Sequence, residues 1–383
     1  MKARLVILTE IISPYRIPLF NDLARHPGID LHVIFLAETD PALRQWRVYK
    51  EDIQFSYEVL PSSRMHLAGF NLLINRKVWL ALSQAHPDAI LCGGYNYVAS
   101  WQALAWARRR NVVFLLWSES HLRELRRPRP LVEFVKDEFL HRCDGSVVSG
   151  TMAREYLRAR KIPDARIFTA PNAVDNQLFS EAAAIARREA VARRGKFGLP
   201  SKYFLFTGRL VREKGPSELL GAYASMDPAV RKECGLVLAG DGVCRTELER
   251  EAAAIAPGTI KFAGFVHREE LASYYALAEA LILPTYTDTW GLVVNEAMAC
   301  GLPVILSNAA GCSVDLVKEN WNGLVIPPRN ARALAEAMNR LASDPDLRAE
   351  MGQNSIRKIS EFSPSAWSQG VAKAIHSIGV SHA

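Results

Sequence analysis

The chain has 383 residues, of which 49% are hydrophobic and 23% charged, and its formal net charge at pH 7 is +7. This length is sufficient for two α/β domains of ordinary size, and the composition excludes extensive disorder. The charge is uneven, because the first 180 residues hold 24 Lys and Arg against 18 Asp and Glu.

Short apolar runs alternate with helix-length segments along the chain, a rhythm typical of parallel sheets. In the first half, a helix is predicted over 18–25, between the first two strands. The strands predicted there are 4–9, 31–37, 89–92, 112–117, 145–149 and 166–170. A second series is predicted at 203–207, 236–239, 260–263, 280–284, 303–306 and 323–326.

These two series predict an α/β protein with two doubly wound, Rossmann-like parallel sheets. We expect an acceptor-binding domain over 1–179 and a donor-binding domain over 200–362, facing each other across a cleft. The Ala/Arg-rich stretch 180–200 is interpreted as the linker. The segment 363–383 is expected to form a helix that packs back on the first domain.

The N-terminus and the cysteines indicate an intracellular protein. The first residues have only a short apolar run before Glu10, which is too short for a signal peptide. No stretch approaches the roughly 18 apolar residues of a membrane span. The six cysteines show neither zinc spacing nor a disulfide framework, so we expect reduced, buried thiols. A cytoplasmic location is predicted.

The predicted strand 203–207 is followed by a glycine-containing basic loop. Gly208 and Arg209 open this loop, Lys214 lies near its end, and a helix is predicted from Pro216. A planar guanidinium and a point charge together suit a diphosphate with several oxygens. The alternative is that both basic side chains are simply solvated at a strand end.

The strand predicted at 280–284 leads into a turn and a helix that carry two acids. Asp288 lies in the turn, and Glu296 lies about two helical turns further on. Backbone amides from Trp290 to Val293 are free at a helix start and can bind a phosphate. The alternatives are that Asp288 caps the helix and that Glu296 lies on a solvated face.

The combined motifs resemble the retaining glycosyltransferases of family 4, which have the GT-B architecture. Gly-Arg-x-x-x-x-Lys-Gly is present at 208–215, Gly-x-Gly at 240–242, Phe-x-Gly-x-Val at 262–266, and two acids with seven residues between them at 288 and 296. Pro-Asn-Ala-Val-Asp at 171–175 is similar to the family's Pro-Asn-Gly-Val-Asp.

The resemblance implies roles for these positions. It assigns Arg209 and Lys214 to the donor diphosphate, Glu296 to the ribose, Asp288 to hydroxyls of the transferred sugar, and Phe265 with Val266 to the base. The remaining donor-binding positions that it implies are Gly208, Gly242, Thr289, Trp290, Gly291, Leu292 and Val293. The family normally has Glu where this chain has Asp288, so this carboxylate is one methylene shorter.

The acceptor side is expected in loops of the first domain. Tyr15 and Arg16 follow the first strand, and the alternative for them is packing at a helix entry. Ser118-Glu119-Ser120-His121 ends another strand. Relatives carry a histidine in this loop, so the resemblance implies that His121 holds a sugar hydroxyl, with Glu119 as a competitor. The alternative for His121 is a surface position.

The resemblance implies a retaining, nucleotide-sugar-dependent transferase that acts on a glycan, a lipid-linked or another hydroxyl acceptor in polysaccharide or lipopolysaccharide-type biosynthesis. No cofactor or metal is expected, since an Asp-x-Asp motif is absent. The basic first half, including Arg126, Arg127 and Arg129, predicts docking on an anionic membrane, whereas no nucleic-acid motif is present. The alternatives are a phosphorylase- or epimerase-like GT-B enzyme and a noncatalytic nucleotide-sugar-binding protein. A dehydrogenase is disfavoured because no Gly-x-Gly-x-x-Gly opens the first helix.

Overall fold

The computed structural model describes residues 2–40, 46–67, 70–124 and 130–379. The described residues form two compact units. The first contains those among 2–122 and 130–174, together with 364–379, and the second contains 123–124 and 175–363. Arg126, Arg127 and Arg129 lie outside the described residues. Among the described residues, no helix is both long enough and apolar enough to cross a bilayer.

The first unit is built on a parallel sheet of seven strands in the order β3-β2-β1-β6-β7-β8-β9, with a separate antiparallel hairpin of β4 and β5. In chain order the strands are β1 (Ala3–Thr9), β2 (Ile29–Phe35), β3 (Ser56–Val59), β4 (Ser62–Leu67), β5 (Phe70–Asn75), β6 (Ala89–Cys92), β7 (Val113–Ser118), β8 (Gly145–Val148) and β9 (Ile167–Thr169). The central strands are almost wholly buried, as expected for a sheet covered on both faces.

Helices cover both faces of this sheet. They are α1 (Ile17–Ala24), α2 (Val78–Ala85), α3 (Val98–Arg110), α4 (Pro130–Arg142) and α5 (Thr151–Ala159). Side chains alternate along the strands, so Val6 and Leu8 pack with α2 and α3, whereas Leu5 and Ile7 pack with α1. This is the doubly wound arrangement that the sequence predicts.

The second unit is built on a six-stranded parallel sheet in the order β12-β11-β10-β13-β14-β15. Its strands are β10 (Tyr203–Thr207), β11 (Gly235–Ala239), β12 (Ile260–Gly264), β13 (Ala280–Leu283), β14 (Val304–Ser307) and β15 (Gly323–Ile326). Its helices are α6 (Asn176–Arg188), α7 (Ala190–Phe197), α8 (Pro216–Ala224), α9 (Pro228–Glu233), α10 (Arg245–Ile255), α11 (Arg268–Leu277), α12 (Leu292–Ala299), α13 (Ser313–Leu316), α14 (Ala331–Ser343) and α15 (Pro345–Ile359).

The final helix returns to the first unit. This helix, α16 (Pro364–Ser377), packs against α1. Trp367 is fully buried there, with its ring centroid 5.7 Å from that of Phe20 and 5.1 Å from that of Trp117. The helix α16 therefore completes the core of the first unit.

Every strand predicted from the sequence is present, with ends shifted by two residues at most. The strand β3 and the hairpin of β4 and β5 were not predicted. The prediction of a linker over 180–200 is wrong, because α6 and α7 occupy this stretch and α6 packs on α11 and α12. Asp175 caps α6 by accepting a hydrogen bond from the amide of Leu178 at 3.0 Å, so the second unit begins there.

Candidate functional site

The order of the second sheet places β10 beside β13, where the strand order reverses. Ligands of open α/β sheets bind in the crevice at such a switch point, beyond the carboxyl ends of the strands. The loops that follow β10 and β13 meet there. The amide of Tyr286 and the hydroxyl of Thr285 both donate to the carbonyl of Glu213, each at 2.8 Å.

Lys214 and Asp288 join these two loops through an ion pair. Their side chains are only 17% and 14% exposed, so solvent screens the pair weakly. The Asp288 carbonyl also accepts a hydrogen bond from the amide of Gly311 at 2.9 Å. Two of the residues predicted for the donor site are thus in direct contact, although the resemblance gave them different ligand groups.

The alternative role of Asp288 as a helix cap is wrong. Helix α12 begins after Gly291, which has a left-handed φ of 99° and serves as the N-cap without a side-chain hydrogen bond. Its N-cap residue thus has no side chain that could cap the helix, and the first amides of any helix lack partners within it. Thr289 is exposed at the same turn, and Leu292 and Val293 are partly buried.

Trp290 is buried in this turn and is held in place by its own helix. Its indole nitrogen donates to the Oδ1 atom of Asn295 at 2.9 Å, and its side chain is 2% exposed. The amide of Cys312 donates to the Trp290 carbonyl at 3.0 Å. The turn before α12 is thus fixed on both sides.

Arg209 has the opposite character to Lys214. Its side chain is exposed and forms no hydrogen bond or ion pair within the described part of the chain. The neighbouring Gly208 has a φ of 150°, and a Cβ atom there would come no closer than 3.8 Å to any atom, the nearest being on the ring of Phe206. The Arg209 guanidinium therefore has all of its donors available for a ligand.

Glu296 lies about one turn into α12, which begins at Leu292, and is partly buried. The hydroxyl of Tyr275, a fully buried residue on α11, donates to its Oε2 atom at 2.7 Å. Burial raises the pKa of Glu296 to about 7, and the hydrogen bond from Tyr275 opposes this shift. The alternative of a solvated Glu296 is therefore wrong.

Glycines bring the neighbouring loops into backbone contact. A Cβ atom on Gly240 would lie 1.8 Å from the carbonyl oxygen of Gly208, and one on Gly242 would lie 2.5 Å from that of Leu210. The amide of Gly240 donates to the Gly264 carbonyl at 2.7 Å. The loops after β10, β11 and β12 thus form one continuous edge. The glycine at position 242 is explained by the close packing of two of these loops.

Phe265 and Val266 continue this edge beyond β12. The Phe265 side chain is exposed, and its ring lies edge-on to that of His267 with centroids 5.0 Å apart. Val266 is partly buried. An exposed aromatic ring beside a basic loop can stack on a nucleotide base.

The first unit brings two of its predicted acceptor residues, Arg16 and Glu119, together at the carboxyl end of its sheet. The Arg16 guanidinium lies 4.2 Å from the ring centroid of Trp117, donates to Thr9 Oγ1 at 3.1 Å and is 3.7 Å from Glu119. Glu119 accepts a hydrogen bond from Asn172 at 2.9 Å. Arg16 thus combines stacking on an aromatic ring with a nearby carboxylate.

The other two predicted residues are less available. Tyr15 lies edge-on to Trp46, with ring centroids 5.9 Å apart, which agrees with packing at a helix entry. His121 is 2% exposed, so the alternative of a surface histidine is wrong.

Several residues at these edges were not predicted from the sequence. Asn172 lies within the Pro-Asn-Ala-Val-Asp motif, which could have drawn attention to its side chain. Tyr275 lies on an apolar helix face without a distinguishing signal. Arg64 on β4 pairs with the buried Asp40 and lies 3.9 Å from Glu10, a set that only the tertiary structure brings together.

All six cysteines are free, and all but Cys244 are buried, as predicted. Burial raises the pKa of Cys92 to about 12. Within the described ranges, no group of three or more His, Cys, Asp or Glu side chains is arranged to hold a metal ion.

Comparison with known proteins gives matches to two families. Residues 188–358 match the glycosyl transferases group 1, and residues 19–178 match glycosyltransferase family 4. Alpha-D-kanosaminyltransferase of Streptomyces kanamyceticus is 27% identical over 255 residues, which cover 66% of this chain and 65% of the relative. D-inositol 3-phosphate glycosyltransferase of Streptomyces bingchenggensis is 32% identical over 192 residues, which cover 47% and 41%. The chain thus aligns with less than two thirds of the length of either relative.

Among solved structures, HepE of Anabaena in complex with UDP and glucose superposes with a TM-score of 0.76. The match covers 98% of this chain and 100% of HepE, at 18% sequence identity. At this identity, the likeness demonstrates a common fold.

Proposed function

The chain belongs to the group 1 glycosyltransferases of family 4 and has the GT-B fold, and we propose that it transfers a sugar from a nucleotide-diphosphate sugar to an acceptor hydroxyl with retention of configuration. The observation that carries this proposal is the edge of the second sheet. There, Lys214, Asp288 and the start of α12, which has Gly291 as its N-cap, lie at the switch point. The complex of HepE with UDP and glucose supports a nucleotide sugar as the donor.

The diphosphate binds between Lys214, Arg209 and the first amides of α12. All three are positive or carry a partial positive charge, and donors fixed in advance stabilise developing negative charge without reorganisation. Arg209 is free to turn toward the phosphates, whereas Lys214 must share its ammonium group between Asp288 and the donor. Asp288 then accepts hydrogen bonds from hydroxyls of the transferred sugar.

The nucleoside binds further along the same edge. Glu296 accepts hydrogen bonds from the ribose hydroxyls, and Phe265 with Val266 borders the base. Burial raises the pKa of Glu296 to about 7, and hydrogen bonds donated by ribose hydroxyls would favour its ionised form. Gly208 leaves room for the phosphates beside Arg209.

In the transfer, the bond between the anomeric carbon and the phosphate oxygen breaks, and the acceptor oxygen bonds to the same face of the sugar. The proton of the acceptor hydroxyl moves to an oxygen of the leaving diphosphate, so no protein nucleophile and no metal is needed. The cations stabilise the leaving group while the sugar passes through an oxocarbenium-like state.

The acceptor binds at the edge of the first sheet, against Arg16 and Glu119, with His121 as a further candidate to hold a sugar hydroxyl. We propose a glycan or lipid-linked acceptor, in polysaccharide or lipopolysaccharide-type biosynthesis, at the cytoplasmic side of a membrane. The basic first half supports an acceptor at an anionic surface. The name of one relative indicates D-inositol 3-phosphate, which belongs in any acceptor panel.

The experiment is a panel of nucleotide sugars scored by thermal shift, followed by transfer assays with the donors that stabilise the protein. NMR of the product should show the anomeric configuration of the donor preserved. An inverted product would contradict retention. Turnover of a sugar phosphate or epimerisation without an acceptor would indicate the phosphorylase- or epimerase-like alternative, and tight donor binding without any product would indicate a noncatalytic binder.

A further inference from the structure

The two oxygens of the Glu296 carboxylate are in different situations. The Oε2 atom accepts a hydrogen bond of 2.7 Å from the hydroxyl of Tyr275, which lies twenty-one positions earlier in the chain. The Oε1 atom accepts no hydrogen bond from the residues that the structure describes, and Glu296 is partly exposed. One oxygen is therefore held by the protein, and the other is available to a ligand.

The hydrogen bond to Oε2 restricts the carboxylate where it would otherwise be free to turn. The last torsion of a glutamate side chain has broad minima, so an unanchored carboxylate presents its oxygens in many directions. A short hydrogen bond to one oxygen fixes the plane of the group, and with it the direction of the other oxygen. This anchoring lowers the conformational entropy that a ligand must remove when it binds to Oε1.

Tyr275 is a rigid support for this hydrogen bond. It lies on α11 and is fully buried, and α11 packs on both α6 and α12. The ring of Tyr275 is edge-on to that of Phe179 on α6, with the centroids 6.3 Å apart. The hydroxyl therefore approaches Glu296 from a neighbouring helix whose position is fixed by a third helix.

The hydroxyl of Tyr275 is not needed to fill the core. A phenylalanine would occupy the same space, and burying a hydroxyl costs free energy unless it is hydrogen-bonded. Burial and the adjacent Glu296 raise the pKa of Tyr275 well above its usual range, so the hydroxyl keeps its proton and acts as the donor. The bond also favours the ionised form of Glu296, which is the stronger acceptor.

We propose that Tyr275 is a positioning residue for the nucleoside of the donor, because it holds Glu296 so that the Oε1 atom accepts a hydrogen bond from a ribose hydroxyl. This inference rests on the proposed binding of a nucleotide sugar beside Glu296. Tyr275 is fully buried, so it acts through Glu296 and does not contact the ligand. Its effect should therefore be confined to ligands that carry a ribose hydroxyl.

The test is isothermal titration calorimetry of the full-length protein with UDP and with GDP, each compared with its 2′,3′-dideoxy analogue. The analogues keep the base and the diphosphate but lack both ribose hydroxyls. The pH is kept above about 7, where Glu296 is ionised. The native protein should bind the nucleotide more tightly than its analogue. Tyr275→Phe should weaken binding of the nucleotide about tenfold and leave the affinity for the analogue unchanged.

Tyr203→Phe is the matched control. The hydroxyl of Tyr203 is also fully buried and donates to the carbonyl of Tyr274 at 2.7 Å. Tyr203 is the first residue of β10, so it lies at the opposite end of the strand from the switch point. Both variants lose one buried hydrogen bond, so their thermal stabilities should fall by similar amounts. Tyr203→Phe should nevertheless bind every nucleotide and analogue as the native protein does.

The outcomes separate this inference from the proposed function. If the native protein binds neither UDP nor GDP, the proposed donor is contradicted, and the role of Tyr275 falls with it. If the native protein binds a nucleotide and its analogue equally well, the ribose contact of Glu296 is contradicted, and so is the positioning role. If the native protein prefers the nucleotide, but Tyr275→Phe weakens nucleotide and analogue alike or weakens neither, the inference is overturned while the donor site stands.

Discussion

The two parallel sheets end in edges of different construction. At the edge of the second sheet, glycines allow loop backbones to touch, and one lysine and one aspartate pair within a few residues of the strands. At the edge of the first sheet, side chains from distant segments meet, as Arg16, Trp117 and Asn172 do around Glu119. The first edge depends on long side chains, whereas the second depends on the shape of the backbone. A site shaped by backbone suits the diphosphate, which we propose as the group that every donor shares.

The largest expected effect is at the second edge. Lys214→Ala removes the partly buried cation that we propose binds the diphosphate, so transfer should fall by about 100-fold or more. Steady-state kinetics with the donor found in the panel measure this loss. Lys202→Ala, at a half-exposed surface pair with Glu233, is the control and should keep native activity. Full activity of Lys214→Ala would remove this residue from the catalytic site.

Backbone shape at this edge is tested by Gly240→Ala. The new Cβ would lie 1.8 Å from the Gly208 carbonyl oxygen, so the two loops must separate, and unfolding free energy should fall by about 2 kcal/mol or more. Gly195→Ala in α7 meets no atom within 4 Å and should not destabilise the protein. Denaturant titration compares the two. Equal stability of both variants would show that the loops do not depend on this contact.

Glu296→Gln tests the nucleoside end of the edge. The amide still accepts a hydrogen bond from Tyr275 but loses the charge that we propose the ribose hydroxyls contact, so kcat/KM should fall about tenfold. In the native enzyme, kcat/KM should also fall as the pH drops through about 7, where Glu296 becomes protonated. The variant should lack this step. An identical pH profile in both proteins would assign the titration to another group.

The same carboxyl has a consequence for stability. Because burial raises its folded-state pKa to about 7, the folded protein holds the Glu296 proton more tightly than the unfolded chain does. The tighter binding of this proton therefore stabilises the folded protein fully below the unfolded pKa of about 4.3. This stabilisation is lost as the pH rises through 7. Between these values, the stability of the native protein should decline relative to Glu296→Gln, by on the order of 2 kcal/mol.

The smallest expected effect is at the first edge. Glu119→Gln keeps an oxygen for Asn172 but loses the charge beside Arg16, so the acceptor KM should rise by roughly fivefold to tenfold. The donor KM should stay as in the native enzyme, which separates the two edges kinetically. A rise in the donor KM alone would contradict the placement of Glu119 in the acceptor site.

The sequence predicted the second edge more fully than the first for a physical reason. Close strand-to-loop spacing brings Gly208, Lys214 and Asp288 to one switch point once the strand order is known. The contact between Lys214 and Asp288 was not predicted, because seventy-four positions separate them along the chain. The burial of His121 and the buried hydroxyl of Tyr275 also depend on packing that no local pattern records.

The wrongly predicted linker and the hairpin that was not predicted have a similar origin. The stretch 180–200 is rich in Ala and Arg, which is typical of a linker. Its apolar positions Ala183 and Ala186 are nevertheless buried in the second unit, as is the preceding Phe179. The hairpin of β4 and β5 lacks a strong turn signal, although its strands pair over six residues each. Predicting either feature requires knowledge of the segments that pack against it.

The most direct test of the donor site is hydrogen–deuterium exchange of the full-length protein with and without UDP. We propose that the loops at 208–215 and 285–293 bind the phosphates, so exchange should slow in both segments when UDP binds. Strand-end loops of the first unit, including Arg16 and Glu119, should change less. Protection confined to the first unit, with unchanged exchange at 208–215 and 285–293, would contradict the assignment of the donor to the second.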